Sequence, residues 1–405
     1  MRVLLIGSGG REHALAWKLR QSAGLDELHA APGNPGIARL GKCHPVRAED
    51  GEGLLDLARS LDADLVVVGP EAPLVSGVAD ELRHGGVPVF GPGREAARVE
   101  GSKTFAKDVM RAAGVPTAAR LAVARPPCVV KVDGLAAGKG VFVCPDQASL
   151  DEALRTVGRL GQPLLIEELL EGEEVSVFAL ADGRNAVALA PARDYKRIGD
   201  GDTGPNTGGM GSYSPVAEVP PDTVEELLDL VHRPVLAELA ARGRPFVGLL
   251  YAGLMLTAAG PKVLEFNCRF GDPETQSVVP RLDGDLLDAL AAAARGDLGD
   301  TRLGVSAEAA VTVVVASRDY PERGESGTPI EGVAEAEAGA LVFHAGTAVH
   351  GSRLVTNGGR ILNVTGLGPT VDAAREAAYA ACASISFDGM QYRRDIAGRT
   401  ADVAT

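Results

Sequence analysis

The sequence predicts a multidomain α/β protein, and three observations carry that expectation. Short, continuously apolar segments such as VLLIG (3–7) and DLVVVGP (64–70) alternate with helical patterns, the mark of strands buried on both faces of a parallel sheet. At 405 residues the chain is too long for one ordinary core. Its 45% hydrophobic and 23% charged content suits a folded globular chain rather than a disordered one.

Taken in order, the strand at 3–7 leads into a helix from about Arg11 to Arg20. The strand at 64–70 precedes a helix near Ser76 to His84, and VPVFGP (87–92) follows. This βα alternation predicts a Rossmann-like domain over residues 1–102. The turn GSGGREHA (7–14) falls short of a dinucleotide fingerprint. Gly7 and Gly9 fit, but Glu12 stands at the third glycine position, and no acidic ribose partner ends a second strand at the expected distance. Glycines opening a helix still suit a monophosphate, and Arg11 adds charge. His13 serves a structural role as readily as a catalytic one.

The middle region, 103–307, opens with a helix from Ser102 to Ala113 and a Gly-Val-Pro stop. Next come a strand, loop and strand over 128–144, then a helix expected to open on the capping pattern Ser149-x-x-Glu152. LLIEEL (164–169) and EVSVFALA (174–181) read as strands. Residues 199–215 are dense in Gly, Thr, Asn and Pro, and read as a mobile substrate loop. A long helix near 222–242 precedes the strands GLLYAGLML (248–256) and KVLEFNC (262–268). A strand at 309–317 and an alanine-rich helix at about 370–386 mark a small α+β domain over 308–405, packed on the first two.

Charge and composition narrow the function. A formal net charge of −14 argues against nucleic acid as a partner. Five scattered cysteines without a CxxC pair suit free thiols in a reducing cytoplasm. The apolar run at the N-terminus is too short for a signal peptide, and no stretch reaches membrane-spanning length, so a soluble cytoplasmic protein without a membrane partner is expected.

Only eight of the 40 basic residues are lysines, so a retained lysine points to a need for a compact charge that guanidinium cannot mimic. Two of them, Lys131 and Lys139, flank the glycine-rich turn of VVKVDGLAAGKGV (129–141). Gly134, Gly138 and Gly140 let backbone amides close over a polyanion there. A Walker loop is excluded, because one residue is missing between the glycines and Gly140 replaces the hydroxyl residue. Magnesium must therefore be held elsewhere. In EFNCRFGDPE (265–274), strand alternation would place Glu265, Asn267 and Arg269 on one face. Their carboxylate and amide oxygens suit Mg²⁺, and the arginine suits charge on a transferring phosphoryl group. Glu167, Glu168, Glu173 and Glu174 cluster at a strand end, where acids accept bonds from ribose hydroxyls. HRD, DFG, HExxH and GxSxG are all absent.

Together these segments resemble the ATP-grasp superfamily, and more closely its glycinamide ribonucleotide synthetase family. PGNPG (32–36), VVVGPEAPL (66–74), EELLEGEEVSV (167–177), RDYKR (193–197) and GDTGPNTGGMGSYSP (201–215) extend the match in the expected order. The resemblance implies an ATP-grasp central domain with a lid subdomain at about 118–186. It implies ligation of glycine to 5-phosphoribosylamine through glycyl phosphate, yielding ADP and phosphate in purine biosynthesis. It assigns ATP to Lys103, Lys131, Gly134, Gly138, Lys139, Gly140, Glu167, Glu168, Leu169 and Glu174, with Glu167 and nearby backbone at adenine and Glu174 at the ribose. Glu265 and Asn267 take Mg²⁺, or Mn²⁺ in its place. Catalytic roles fall to Arg269, Lys139 and Asp202. Substrates fall to Gly9, Gly10, Arg11, Asn34, Glu71, Lys196, Asn206 and Thr207. YAGLM (251–255) lacks the additional metal-binding acid of many ATP-grasp enzymes, so one protein-anchored metal is expected, in a monomer. The alternative is another ATP-grasp carboxylate–amine ligase acting on a different acid.

Overall fold

Strand Arg2–Gly7 buries Val3, Leu4, Leu5 and Ile6 completely, as a strand covered on both faces must. It sits in the middle of a five-stranded parallel sheet, between Glu27–Pro32 and Leu65–Val68, with Lys42–Cys43 and Val89–Phe90 at the edges. The chain thus works outward from its first strand, then returns to build on the other side. That reversal leaves a crevice beyond the carboxyl ends of Arg2–Gly7 and Leu65–Val68, the place where open α/β sheets bind ligands. The structure, a computed structural model, describes residues 1–135, 140–299 and 301–398.

A four-stranded antiparallel sheet follows, in the order Ala186–Ala188, Glu173–Asp182, Val247–Thr257, Gly260–Asn267. It shares apolar cores with the first domain: Leu4 and Ile6 belong to one cluster with Val175, Val177, Phe246 and Phe266. The lid is a separate three-stranded sheet, Val141–Cys144, Cys128–Val132 and Leu164–Glu168, backed by helix Gln147–Leu160. Its core is its own, built from Cys128, Val130, Cys144, Leu150, Ala153 and Val157. A body that packs mainly on itself can shift as a unit relative to the shared core.

Three expected elements differ. The lid helix opens at Gln147, not Ser149, because Asp146 caps it by accepting from the Ser149 amide at 2.8 Å. The long helix near 222–242 is broken into Pro221–Leu227, a π turn at Leu228–His232, and Arg233–Ala241. Pro234 offers no N–H to the regular ladder, which accounts for the irregular turn ahead of it. The segment 199–215 is not a loop throughout. Arg197–Gly199 and Thr203–Asn206 form a hairpin, and Gly211–Ser214 is a strand of the last domain's sheet.

That last sheet runs Arg193–Asp194, Gly211–Ser214, Ala309–Ala316, Arg360–Gly368, Leu341–His344, all antiparallel, with helix Val371–Cys382 against it. Two of its strands therefore come from upstream of residue 308. Among the described residues, no helix is long and apolar enough to cross a membrane.

Candidate active site

Helix Lys103–Ala113 begins where Ser102 accepts the Phe105 amide at 3.2 Å, and its first residue points at the glycine-rich turn. Lys103 Nζ donates to the Gly134 carbonyl at 3.0 Å. Lys131, on the central lid strand, donates to Glu167 at 2.7 Å and to the Leu264 carbonyl at 2.9 Å. Glu167 is only 1% exposed and is held from its other side by Lys107 at 2.5 Å. Lys107 also donates to Thr117 Oγ1 at 2.8 Å and to the Ala118 carbonyl at 2.6 Å, beside its ion pair with Glu167. Among the described residues Lys131 makes one hydrogen bond and one ion pair. Burial pulls both Lys103 and Lys107 below the usual lysine range.

Lys107 and Lys262 are not singled out by the sequence, yet both pair with acids beside the lid. Lys107 lies one helical turn after Lys103, and that i,i+4 spacing was the available signal. Lys262 Nζ holds Glu168 at 2.8 Å, and that carboxylate also caps the Ala119 amide at 2.9 Å. Leu169 follows directly, half-buried. Gly140 is buried next to strand Val141–Cys144, while Gly138 and Lys139 lie outside the described residues.

Lys196 enters from the far side, paired to Glu174 and 3.9 Å from Glu265. These acids, with neighbouring Asp194, raise Lys196 well above the ordinary lysine value despite its burial. Lys196, Lys131 and Lys103 in turn pull Glu265 down against burial. Asn267 is two residues on, and no hydrogen bond occupies its amide among the described residues. Both sit on the edge strand Gly260–Asn267 at alternate positions, which puts their side chains on one face. No group of three or more His, Cys, Asp or Glu is arranged to hold a metal among the described residues. Two oxygen donors with room for phosphates nevertheless fit a hard divalent cation, which shares its shell with nucleotide oxygens and water.

Arg269 departs from expectation. The strand ends at Asn267, so alternation does not carry Arg269 onto the face of Glu265. Its guanidinium instead meets Glu71 at 3.1 Å and Glu100 at 3.4 Å. Both acids belong to the first domain, and sequence reasoning missed Glu100. Burial would raise Glu71, but Arg269 and then Arg11 overcome it and hold the carboxyl at about 2. Arg11 lies 3.8 Å from Glu71, donates to Glu12 at 2.5 Å and reaches the Phe270 carbonyl at 3.2 Å.

The turn at 7–12 occupies the crevice at the sheet's reversal. Glu12 turns back to accept the Gly9 amide at 2.6 Å and fills the space beside Gly7, whose φ is +126°. A side chain at Gly7 would meet Glu12 at 2.6 Å. A third glycine is thus replaced by a carboxylate that caps its own helix. Gly10 packs against the last domain, where an added Cβ would lie 2.1 Å from Asn363.

Asn34, expected at the substrate, bonds to backbone on three sides. Its amide donates to the carbonyls of Ser8 at 2.9 Å and His344 at 2.8 Å, and its oxygen accepts the Ile37 amide at 2.9 Å. With both amide protons donated to backbone, Asn34 fixes the shape of the turn. His13 is likewise structural, its Nδ1 accepting the His344 amide at 2.8 Å.

Asn206 ends the hairpin and Thr207 follows it. Asn206 Nδ2 approaches the lid carbonyl of Val141 at 3.5 Å, across a groove of about 670 Å³, and Thr207 donates twice to the Lys196 carbonyl. Asp202 is not gathered with Glu265 and Lys196. It lies in the hairpin turn with its carboxylate on Arg393 at 2.7 Å. Arg360, also missed, donates to the carbonyls of Gly208 and Asp272 and to the Asp272 carboxylate at 2.9 Å, while Tyr320 accepts the Gly208 amide.

Family models match nearly the whole chain. They are the phosphoribosylglycinamide synthetase N domain over residues 1–100, its ATP-grasp (A) domain over 101–275 and its C domain over 310–399. The phosphoribosylamine–glycine ligase of Streptomyces coelicolor is 52% identical over 418 residues, covering 99% of this chain and 100% of that one. That of Rhizobium meliloti is 49% identical, covering 98% of each. The crystal structure of a Thermotoga maritima phosphoribosylamine–glycine ligase superposes with a TM-score of 0.85 at 38% identity, covering 98% of this chain and 100% of that one. N5-carboxyaminoimidazole ribonucleotide synthetase of the same organism shares the fold, with a TM-score of 0.63 at 16% identity over 95% of this chain and 99% of that one.

Proposed function

This chain belongs to the phosphoribosylglycinamide synthetase family, and from that premise we propose how its cleft joins glycine to 5-phosphoribosylamine. It is an ATP-dependent carbon–nitrogen ligase of purine biosynthesis, and its full-length relatives do not favour a different acid. The observation that carries the site assignment is the convergence of Lys103, Lys131, Lys196 and Glu265 from four separate elements.

Lys131 and Lys103 take phosphate oxygens of ATP, and the turn through Gly134, Gly138, Lys139 and Gly140 closes over them. The backbone of Glu167, Glu168 and Leu169 meets adenine, since the Glu167 side chain is taken up by lysines. Glu174 accepts a ribose hydroxyl. Glu265 and Asn267 would hold Mg²⁺, which neutralises phosphate charge and orients the terminal phosphoryl group when bound. Gly9, Gly10, Arg11 and Glu71 border the phosphoribosylamine site, with Asn34 fixing the shape of that turn. Lys196, Asn206 and Thr207 border glycine.

A glycine carboxylate oxygen attacks the terminal phosphorus of ATP and ADP leaves. The amine of phosphoribosylamine then attacks the acyl carbon, phosphate departs and the nitrogen loses a proton. Arg269 and Lys139 offset negative charge during the first transfer. Closure of the lid excludes water that would hydrolyse the intermediate. The proposal takes the divisions at 102/103 and 307/308 as domain boundaries, with a monomer in the cytoplasm. Hydroxylamine should trap an acyl hydroxamate from enzyme, ATP and glycine. Trapping with another acid but not with glycine would overturn the substrate assignment.

A further inference from the structure

The hairpin of Arg197–Gly199 and Thr203–Asn206 has no apolar core to fix it. Residues 200–205 are exposed, and Ile198 is only half-buried. What holds it is polar. Arg393 is 1% exposed and among the largest fully buried side chains. Its Nε and Nη2 fork onto Asp395 at 2.8 and 2.6 Å, and Nη1 donates to Asp202 at 2.7 Å and to the Arg197 carbonyl at 3.1 Å. The guanidinium also lies 4.9 Å over the Tyr195 ring.

Bonds return from both sides. The Gly201 amide donates to Asp395 at 2.9 Å, the Arg394 amide to Asp200 at 2.8 Å, and the Ala397 amide to the Tyr195 hydroxyl at 2.9 Å. Behind this strap, Tyr379 donates to the Arg393 carbonyl at 2.8 Å, and Arg375 donates to the carbonyls of Arg394 and Ile396. The strap is therefore anchored on helix Val371–Cys382 and grips the hairpin by its turn.

The hairpin's open end lies at the cleft. Lys196 immediately precedes it, and Thr207 immediately follows, its amide and hydroxyl donating to the Lys196 carbonyl at 2.7 and 2.8 Å. A tilt at the turn is thus carried to Lys196, Asn206 and Thr207 together. Resting on the ligase reading above, we infer that Arg393 is a positioning residue for acyl transfer. By clamping Asp202 and the hairpin turn, it keeps the glycyl group aligned for the amine rather than for water. In the productive step the C–N bond forms as the bond from acyl carbon to phosphate oxygen breaks. In the leak, water attacks the same carbon, the same bond breaks, and glycine and phosphate result with ATP spent.

The test compares the full-length parent with Arg393→Ala, Arg393→Lys and Asp202→Asn, reading ADP released against amide product, KM for glycine and for ATP, and Tm. For Arg393→Ala, KM for glycine should rise by up to about a hundredfold, the scale of the loss when a bound group is misplaced by an ångström. ADP should exceed product, with KM for ATP unchanged. Arg393→Lys should recover Tm but not the stoichiometry, because an ammonium cannot serve Asp395, Asp202 and the Arg197 carbonyl in one plane. Asp202→Asn, on an exposed turn, should fold normally and show the same excess of ADP if Arg393→Ala does not fold. A lower Tm with equimolar ADP and product and an unmoved glycine KM would overturn the inference and leave the strap purely structural. A parent that makes no product from glycine would instead overturn the ligase reading.

Discussion

Lys131 and Lys107 grip the same buried carboxylate, yet replacing each with methionine should have different consequences for ATP. Both are largely buried, at 8% and 13% side-chain exposure, and each contributes one charged bond to Glu167. Either variant leaves Glu167 with one cation, so stability should fall by about 1.5–3 kcal/mol, the range for a hydrogen bond to a charged group. Loss of both lysines would strand the charge and cost about 3–5 kcal/mol or more. ATP separates the two. Lys107 makes two hydrogen bonds and an ion pair within the protein, whereas Lys131 makes one hydrogen bond and an ion pair among the described residues. Lys131→Met should therefore weaken ATP by about 10- to 100-fold, the same 1.5–3 kcal/mol expressed as affinity. Lys107→Met should change ATP affinity far less. Calorimetric titration of each folded variant with ATP and Mg²⁺ reads this directly. Unchanged affinity in Lys131→Met, or equal losses in both, would refute the reasoning from donor occupancy.

Other consequences follow from the same geometry. Arg269→Lys replaces a fork across Glu71 and Glu100 by a point charge, so turnover should fall more than ATP affinity; parallel losses in steady-state rate and titrated affinity would make it a binding residue only. Burial holds His13 at about 3 and His344 at about 4, so both are neutral in the fold while the unfolded chain takes up protons below about 6.5. Stability should be full above that value and decline as pH falls toward 4, by up to about 1.4 kcal/mol per unit per group. Trp17, which meets Phe343 edge-on at 6.2 Å, supplies the fluorescence signal for urea titrations, and a midpoint flat from pH 7 to 4 would contradict the assignment. Gly10→Ala should loosen the contact with the last domain by about 1–3 kcal/mol, as overpacking does, because Asn363 must move; a Tm equal to the parent's would show that the contact yields freely.

Local chemistry was legible in the sequence where it depended on neighbours along the chain. The two apolar strands around the glycine-rich segment, the alternation bringing Glu265 and Asn267 to one face, and the helix at Lys103 appear as read. Partners far apart were not legible. Arg269 meets acids some 170 to 200 positions upstream, and Arg393 meets Asp202 across 191, separations that no periodicity encodes. Glu27–Pro32 was missed because ELHAAP contains no β-branched residue, yet it is sheltered between two other strands of the sheet. Gly211–Ser214 read as loop because its glycine and serines carry turn propensity, but pairing with Ala309–Ala316 overrides it. The backbone bonds of Asn34 to Ser8 and His344 were likewise not legible, since His344 lies 310 positions away.

The central claim is that glycine is activated by phosphorylation in this cleft before the amine attacks. Turnover with glycine labelled by ¹⁸O in both carboxylate oxygens, followed by mass analysis of the released phosphate, tests it most directly. The account predicts that one labelled oxygen passes from glycine into each phosphate, because the acyl–oxygen bond breaks when the amine displaces it. Product formed with unlabelled phosphate would contradict a glycyl phosphate intermediate and the roles assigned around it.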